Sequence, residues 1–466
     1  MPRCCNHLFL ALLFAFVLLI PAAEAEVFMC GTNGVNNSCT PSGLSSLINS
    51  ASEGDVITVA RGTHQWSSVV TLNKNLTITG GGTCPDCGEA DPTGTWSWPV
   101  ELVIGSNGAF RIDSSDTTGL ARISGLYING HGPSHSYGGG TDNGIIVVRT
   151  NNYAPYRVDN IRFRVLEEGG SSSTAIRHNS NGGPNLTGYG VWDHIYFWSD
   201  IDAGMTSDFA AFNGYGGDNG DTDWSRPARW GQISNTYLED CTVIYEIGED
   251  GSGAGIAIDS QAGGRVVARN NYFWGCFAVT HGTGTGWPQR SGVTSEYYNN
   301  TWKFYSSNNI RIHCAYNWRG GSVYFHHNVS DQYITNMVKL QAKRILGDHG
   351  CGPCGSNACA DYDGFWGSPY PTGYPCIDQP GMGQASGVGM LNTQPQEKEI
   401  AYVWDNTAGT GLQLSNEVSY PEYVVEGRDY ILGEPPDYTP LTYPHPYTYL
   451  VPETMPPAKP EGLIKY

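Results

Sequence analysis

Arg177, Asp259, Arg311, His313 and Lys339 fall in short segments where apolar and polar residues alternate, and His281 opens a loop directly after another such segment. Guanidinium, imidazole, amine and carboxylate together suit one reaction class, β-elimination on a uronate-containing glycan. There a base removes the proton beside the sugar carboxylate while cations or hydrogen-bond donors neutralise that carboxylate. Arg, Lys and His can supply both functions, and Asp259 can orient a base or ligate a cation. Arg149, Asn213 and Gln341 add polar groups able to hold a sugar. Trp224, Trp230, Trp287 and Trp318 lie in or beside long loops and offer flat faces on which a pyranose ring stacks. A solvated charged face would also alternate in this way; the mixture of chemistries in a chain of net charge -19 is what raises this set above it.

These residues can cooperate only if distant stretches of chain are brought into register. Period-two alternation places them on strands: 146–149, 175–177, 212–213, 256–259, 277–280, 310–313 and 338–341, with Thr280 expected outward beside the polar set. Between these strands recurs a second kind, apolar with Asn, Asp or His near its middle. Asn160, His194, Asp240, Asn270, Asn299 and His327 form one column, with steps of 28 to 46 residues. That spacing predicts the rungs of a solenoid. At a sharp turn Asn tolerates left-handed backbone, and stacked amides satisfy buried turn groups, so a scaffolding role is expected for the column.

The expected fold is therefore all-β, a single right-handed parallel β-helix over 26–434. Leu44 to Ala51 should form a short capping helix, and long loops at 182–190, 214–231, 281–292 and 347–384 should wall one side. The proline-rich stretch 435–466 lacks too many backbone donors to add rungs and should run extended as a strap. With 61 glycines and only 15% charged residues, the composition suits short strands and tight turns.

Residues 1–25 read as a cleaved signal peptide: Arg3, an apolar run from Leu8 to Ile20, and an Ala23-x-Ala25 site. No later stretch is long and apolar enough for a membrane span. Export makes disulfides the expected state of the cysteines. The eleven after residue 25 leave one thiol over, with Cys241 or Cys276 the expected buried candidates. Zinc binding at Cys84, Cys87, Cys351, Cys354, Cys359 and Cys376 is the minor alternative, and a calcium ion would suit Asp218, Asp221 and Asp223. The acidic balance disfavours nucleic acid as a partner, leaving an extracellular polysaccharide.

The opening Gly54-Asp55-Val56-Ile57-Thr58-Val59 and the Asn-centred strands resemble the secreted right-handed β-helix superfamily that includes pectate lyases. Val191-Trp192-Asp193-His194 is similar to that family's W-I-D-H signature but one residue short, so the family aspartate's metal role does not transfer to Asp193. Gly264-Arg265, Arg269-Asn270-Asn271, His281-Gly282-Thr283 and Glu296-Tyr297-Tyr298-Asn299-Asn300 resemble bacterial β-helix proteins and speak for the fold. The resemblance implies a polysaccharide lyase. Two other readings stay open: a non-catalytic glycan-binding or adhesive protein, and a glycoside hydrolase pairing Asp259 with Glu239 or Asp240 across a groove.

Overall fold

Short alternating segments cannot bury their apolar face alone, so they must stack. In the computed structural model they do so as three parallel sheets that the chain visits in fixed order. The structure describes residues 25–31, 38–84, 87–88, 98–105, 107–130, 144–149, 154–165, 174–179, 190–199, 210–215, 236–246, 255–261, 263–280, 291–292, 294–304, 312–341, 379–384, 396–416 and 424–448. One coil consists of Tyr156–Asp159 in sheet I, Arg162–Val165 in sheet II and Thr174–Asn179 in sheet III. The next, Gly190–Asp193, Tyr196–Ser199 and Ala210–Tyr215, pairs with it strand for strand. Among the described residues sheet I has 12 strands, sheet II nine and sheet III ten. This is the architecture of a parallel β-helix.

Register turns alternation into a core. In sheet I, Ile57, Ile78, Ile123, Val158, Trp192, Leu238, Ala268, Tyr297, Phe325 and Val403 stack as one inward column, all buried. Trp192 also lies against Phe212 of sheet III, with ring centroids 5.6 Å apart. The N-terminal helix spans Pro41–Ser50, three residues earlier at its start than expected, because Thr40 caps it by accepting the Gly43 N–H at 3.1 Å and Pro41 suits the first turn. It buries Leu44 and Ile48 against the first coils.

All six residues of the Asn/Asp/His column, and Asp405 after them, have left-handed backbone with φ between 47° and 56°. The amide stack sits one residue later. Asn271, Asn300, Asn328 and Asn406 form it, each Nδ2 donating to the next Oδ1 at 2.9, 2.9 and 3.1 Å. Turn geometry and amide pairing, expected of one residue, are thus divided between neighbours, because the left-handed residue points outward and only its successor points in. Asn300→Ala strips partners from Asn271 N, Asn271 Nδ2, Asn328 Oδ1 and Ala268 O. At about 1–3 kcal/mol per buried unsatisfied group, we expect thermal unfolding to show a loss of about 3 kcal/mol or more. Asn299→Gly, one residue away at φ 55°, should change stability by under about 0.5 kcal/mol.

Outward faces of sheet I carry a ladder of ion pairs between coils. Arg122 grips Asp159 with two bonds of 2.6 Å, and Arg157 grips Asp193 at 2.9 and 2.7 Å. Burial opposes both carboxylates, but the guanidiniums more than offset it and hold Asp159 and Asp193 below the usual carboxylate range. A carboxyl whose folded pKa is lowered adds stability above its unfolded pKa and loses it as pH falls through the folded one. Tm should therefore fall steeply on acidification below about pH 4. Asp159→Asn, which cannot titrate, should flatten that slope.

The strap is where the proline content placed it. Tyr438 reaches Glu296, Arg269 donates to Leu441 O at 3.1 Å and Thr442 O at 2.8 Å, His445 N donates to Glu239 at 3.1 Å, and Arg157 donates to Thr448 O at 3.1 Å. The segment thus runs back along sheet I toward the N-terminal coils. Leu441 and Tyr447 cover a second apolar cluster of Val191, Tyr237, Val267 and Tyr298. Residues 449–466 lie outside the described residues, as do 1–24 of the expected signal peptide 1–25.

Cys30–Cys39 and Cys84–Cys87 are disulfides. The bond removes Cys84 and Cys87 as zinc ligands, while Cys351, Cys354, Cys359 and Cys376 lie outside the described residues. Cys241, Cys276 and Cys314 are buried thiols, and burial pushes Cys241 and Cys276 well up.

Candidate functional site

Sheet III brings the polar set into one line. Register aligns Arg111, Val147, Arg177, Asn213, Asp259, Val279, Asn317, Lys339 and Ser415 on successive coils, all on its outward face. Arg177, Asn213, Asp259 and Lys339 were expected there. Arg149 and Gln341 flank the line two residues further along their strands, and both are half-buried. Asn213 Nδ2 and Gln261 Nε2 both donate to Asp259 Oδ2, at 3.3 and 3.2 Å, so the carboxylate is held by amides. Asn317 donates to Gln341 Oε1 at 3.5 Å. Arg177, Asn213 and Asp259 are buried, at 5, 2 and 7% exposure.

Several expectations need correction. Thr280 points inward, in line with Ser260, Trp318 and Leu340, and its hydroxyl pairs with Tyr316. Trp318 is likewise a core residue, fully buried, with its indole N–H given to Gly320 O at 3.1 Å. It cannot stack a sugar. The segment 310–313 is not the stretch that joins the line; the strand is Ile312–Trp318 and Asn317 takes the position. Arg311, His281, Trp224, Trp230 and Trp287 lie outside the described residues, as does the side chain of His313. The loop segments expected to wall the trough and Asp218, Asp221 and Asp223 also fall largely or wholly outside them.

The register error has a physical source. Five sheet III strands carry two consecutive core residues: Ala175-Ile176, Ala211-Phe212, Ala257-Ile258, Ala315-Tyr316 and Met337-Val338, all buried. The polar residue of the line follows directly. A small residue, a large apolar one and then a polar one is the signal that would have found Asn317; strict period two misses it.

Arg319 also went unrecognised. It follows Trp318, whose carbonyl accepts Gln341 N at 2.8 Å, which sets Arg319 beside Gln341 on the flank next to Lys339. Burial pushes the Arg319 guanidinium below its ordinary value, and the Asp259 charge opposes that shift. At Val279 the line turns apolar: Ala210, Ile256 and Val279 form a small cluster on which half-buried Phe277 packs.

The two carboxylates considered as hydrolase partners for Asp259 are on another face. Glu239 is on sheet I, paired with buried Arg269, and Asp240 accepts the Tyr443 hydroxyl at 2.8 and 2.9 Å. Asp193 belongs to Arg157 and to His194, whose Nδ1 is 2.8 Å away. Among the described residues no group of three or more His, Cys, Asp or Glu is placed to hold a metal ion, and no helix is long and apolar enough to cross a membrane.

No family model matches the chain, and no curated protein matches it. Among solved structures it is similar to the crystal structure of an alginate lyase from Paenibacillus sp. str. FPU-7, at 14% identity over 67% of this chain and 97% of that one, with a TM-score of 0.35.

Proposed function

We propose that the chain is a secreted polysaccharide lyase, a single right-handed β-helix that cleaves uronate-containing glycan by β-elimination along sheet III. The observation that carries this reading is the line of Arg177, Asn213, Asp259, Asn317 and Lys339 on one face, with Arg319 beside it.

Distance assigns the roles. Coils stack about 4.8 Å apart, and Arg177 is five coils from Lys339, so about 24 Å separates them. Arg177 therefore binds a sugar several units from the reacting one. Arg319 and the Asn317 amide, one coil from Lys339, neutralise the reacting carboxylate and stabilise the enolate that forms when the neighbouring proton leaves. Arginine stays protonated in proteins and cannot be the base. Asp259 is held by Asn213 and Gln261 and serves as an orienting charge for Arg319. Lys339 is then the base among the described residues of the line, taking the proton on its Nζ. The apolar patch around Val279 and Phe277 receives the C–H face of a sugar between these groups.

The test is incubation of the purified protein with a panel of uronate-containing glycans, following the ultraviolet absorbance of unsaturated products. Absorbance growth on at least one of them is expected; binding without any such growth supports the glycan-binding reading instead. Products cleaved without unsaturation would indicate a hydrolase.

A further inference from the structure

The N-terminal end of the sheet III line differs in chemistry from the end that holds Lys339. Register puts Arg111, Val147 and Arg177 on three successive coils of the line. Arg149 lies two residues past Val147 and so faces outward as well, in the flanking column. Its N–H still donates to Ile112 O at 2.7 Å, which places it beside Asp113 on the preceding coil. Arginine stays protonated in proteins. Three cations on consecutive coils, in a chain of net charge -19, therefore stand with Asp113 as the carboxylate beside them among the described residues of these strands.

Their spacing carries more information than their charge. Coils stack about 4.8 Å apart, and two residues of strand span about 6.6 Å. The guanidiniums thus zigzag: Arg111 in the line, Arg149 one coil on and two residues to the side, Arg177 one coil further and back in the line. An extended chain of diequatorially linked pyranoses advances by close to one coil spacing per sugar, and its two-fold twist throws successive ring substituents to alternate sides. A carboxylate on every sugar then meets one guanidinium on every coil. An alternating acid–neutral chain directs its carboxylates to one side and offers none to Arg149; a diaxially linked chain is buckled and loses the register. Val147, apolar and 4% exposed between Arg111 and Arg177, underlies the C–H face of the middle sugar.

We propose that Arg111, Arg149 and Arg177 form an anchoring site for three consecutive uronates of an extended two-fold glycan, so that the substrate is a run of acidic sugars rather than an alternating chain. With sheet III as the glycan trough, the reading on which this site rests, each guanidinium pairs with one carboxylate through parallel N–H donors. Seven coils separate Arg111 from Lys339, about 34 Å, so only a chain of about seven or more sugars engages the anchor and the reacting end together.

The experiment immobilises the full chain and flows uronate oligomers over it continuously in the cold, so that cleavage does not deplete the ligand, reading affinity by surface plasmon resonance. The wild type should bind a polymannuronate decamer, diequatorially linked, at least about 10-fold more tightly than the tetramer, which cannot reach both ends. It should also bind that decamer about 10-fold more tightly than decamers of diaxially linked polygalacturonate or of hyaluronan, whose carboxylates fall on every second sugar. Arg111→Gln combined with Arg149→Gln, both at half-buried outward positions, should remove most of the decamer's advantage over the tetramer. Equal affinity of the wild type for decamer and tetramer would overturn the anchor, as would an advantage that survives in the double variant. Hyaluronan bound as tightly as polymannuronate would overturn the match of one acid to one coil. The expected selectivity without unsaturated product on long incubation would uphold the anchor and refute the lyase reading.

Discussion

Lys339→Ala should reduce kcat/KM for a uronate glycan by roughly 100- to 10,000-fold, the range for removing a general base, and most of the loss should fall in kcat. Lys339 is half-buried on an outward face, so its removal should leave Tm nearly unchanged. Arg319→Ala should also lower kcat strongly, since it removes charge stabilisation of the enolate, whereas Arg177→Ala should act mainly on KM for long chains. A rate within about threefold of wild type for Lys339→Ala would refute the assignment of the base.

Arg269→Ala should be the most damaging single change to the scaffold. The guanidinium is fully buried; its Nε donates to Glu239 Oε1 at 2.9 Å, its Nη2 pairs with the same oxygen, and it holds Tyr298, Leu441 O and Thr442 O. It also lies over the rings of Tyr237 and Tyr443. Its loss strands a buried carboxylate and unpins the strap, at about 3–5 kcal/mol. Burial already pushes Glu239 up to about 7, despite Arg269 and the His445 N–H. Without Arg269 the carboxyl rises further, so the variant's deficit should be greatest at alkaline pH and ease as pH falls and Glu239 takes a proton. Denaturant melts across pH would measure this, and limited proteolysis should cut the variant within 435–448 first. Adding Glu239→Gln should recover part of the alkaline loss.

Much of this molecule could be read from its sequence because stacking repeats a local rule. The left-handed column from Asn160 to His327 was legible since few residue types accept that backbone, and the strap since proline cannot join a sheet interior. Four of the nine residues of the candidate line, Arg177, Asn213, Asp259 and Lys339, were legible because each follows a buried apolar residue. What failed was strict alternation at a bend. Two successive inward residues shift the later positions of the strand Ile312–Trp318, which concealed Asn317, while Trp318 was taken for a loop residue and proves to be in the core. Arg319 was hidden for another reason: its relation to Asp259 spans coils and depends on register that only the ladder supplies. The Asn271–Asn406 amides were displaced by one because outward and inward neighbours share a residue type.

The most direct test of the sheet III trough is a crystal structure of the Lys339→Ala protein with a uronate oligomer bound. The oligomer should lie along the outward face of sheet III, with one carboxylate at Arg319 and Asn317 and a more distant sugar near Arg177. Sugar rings seated instead on sheet I or sheet II, with the sheet III line untouched, would contradict it.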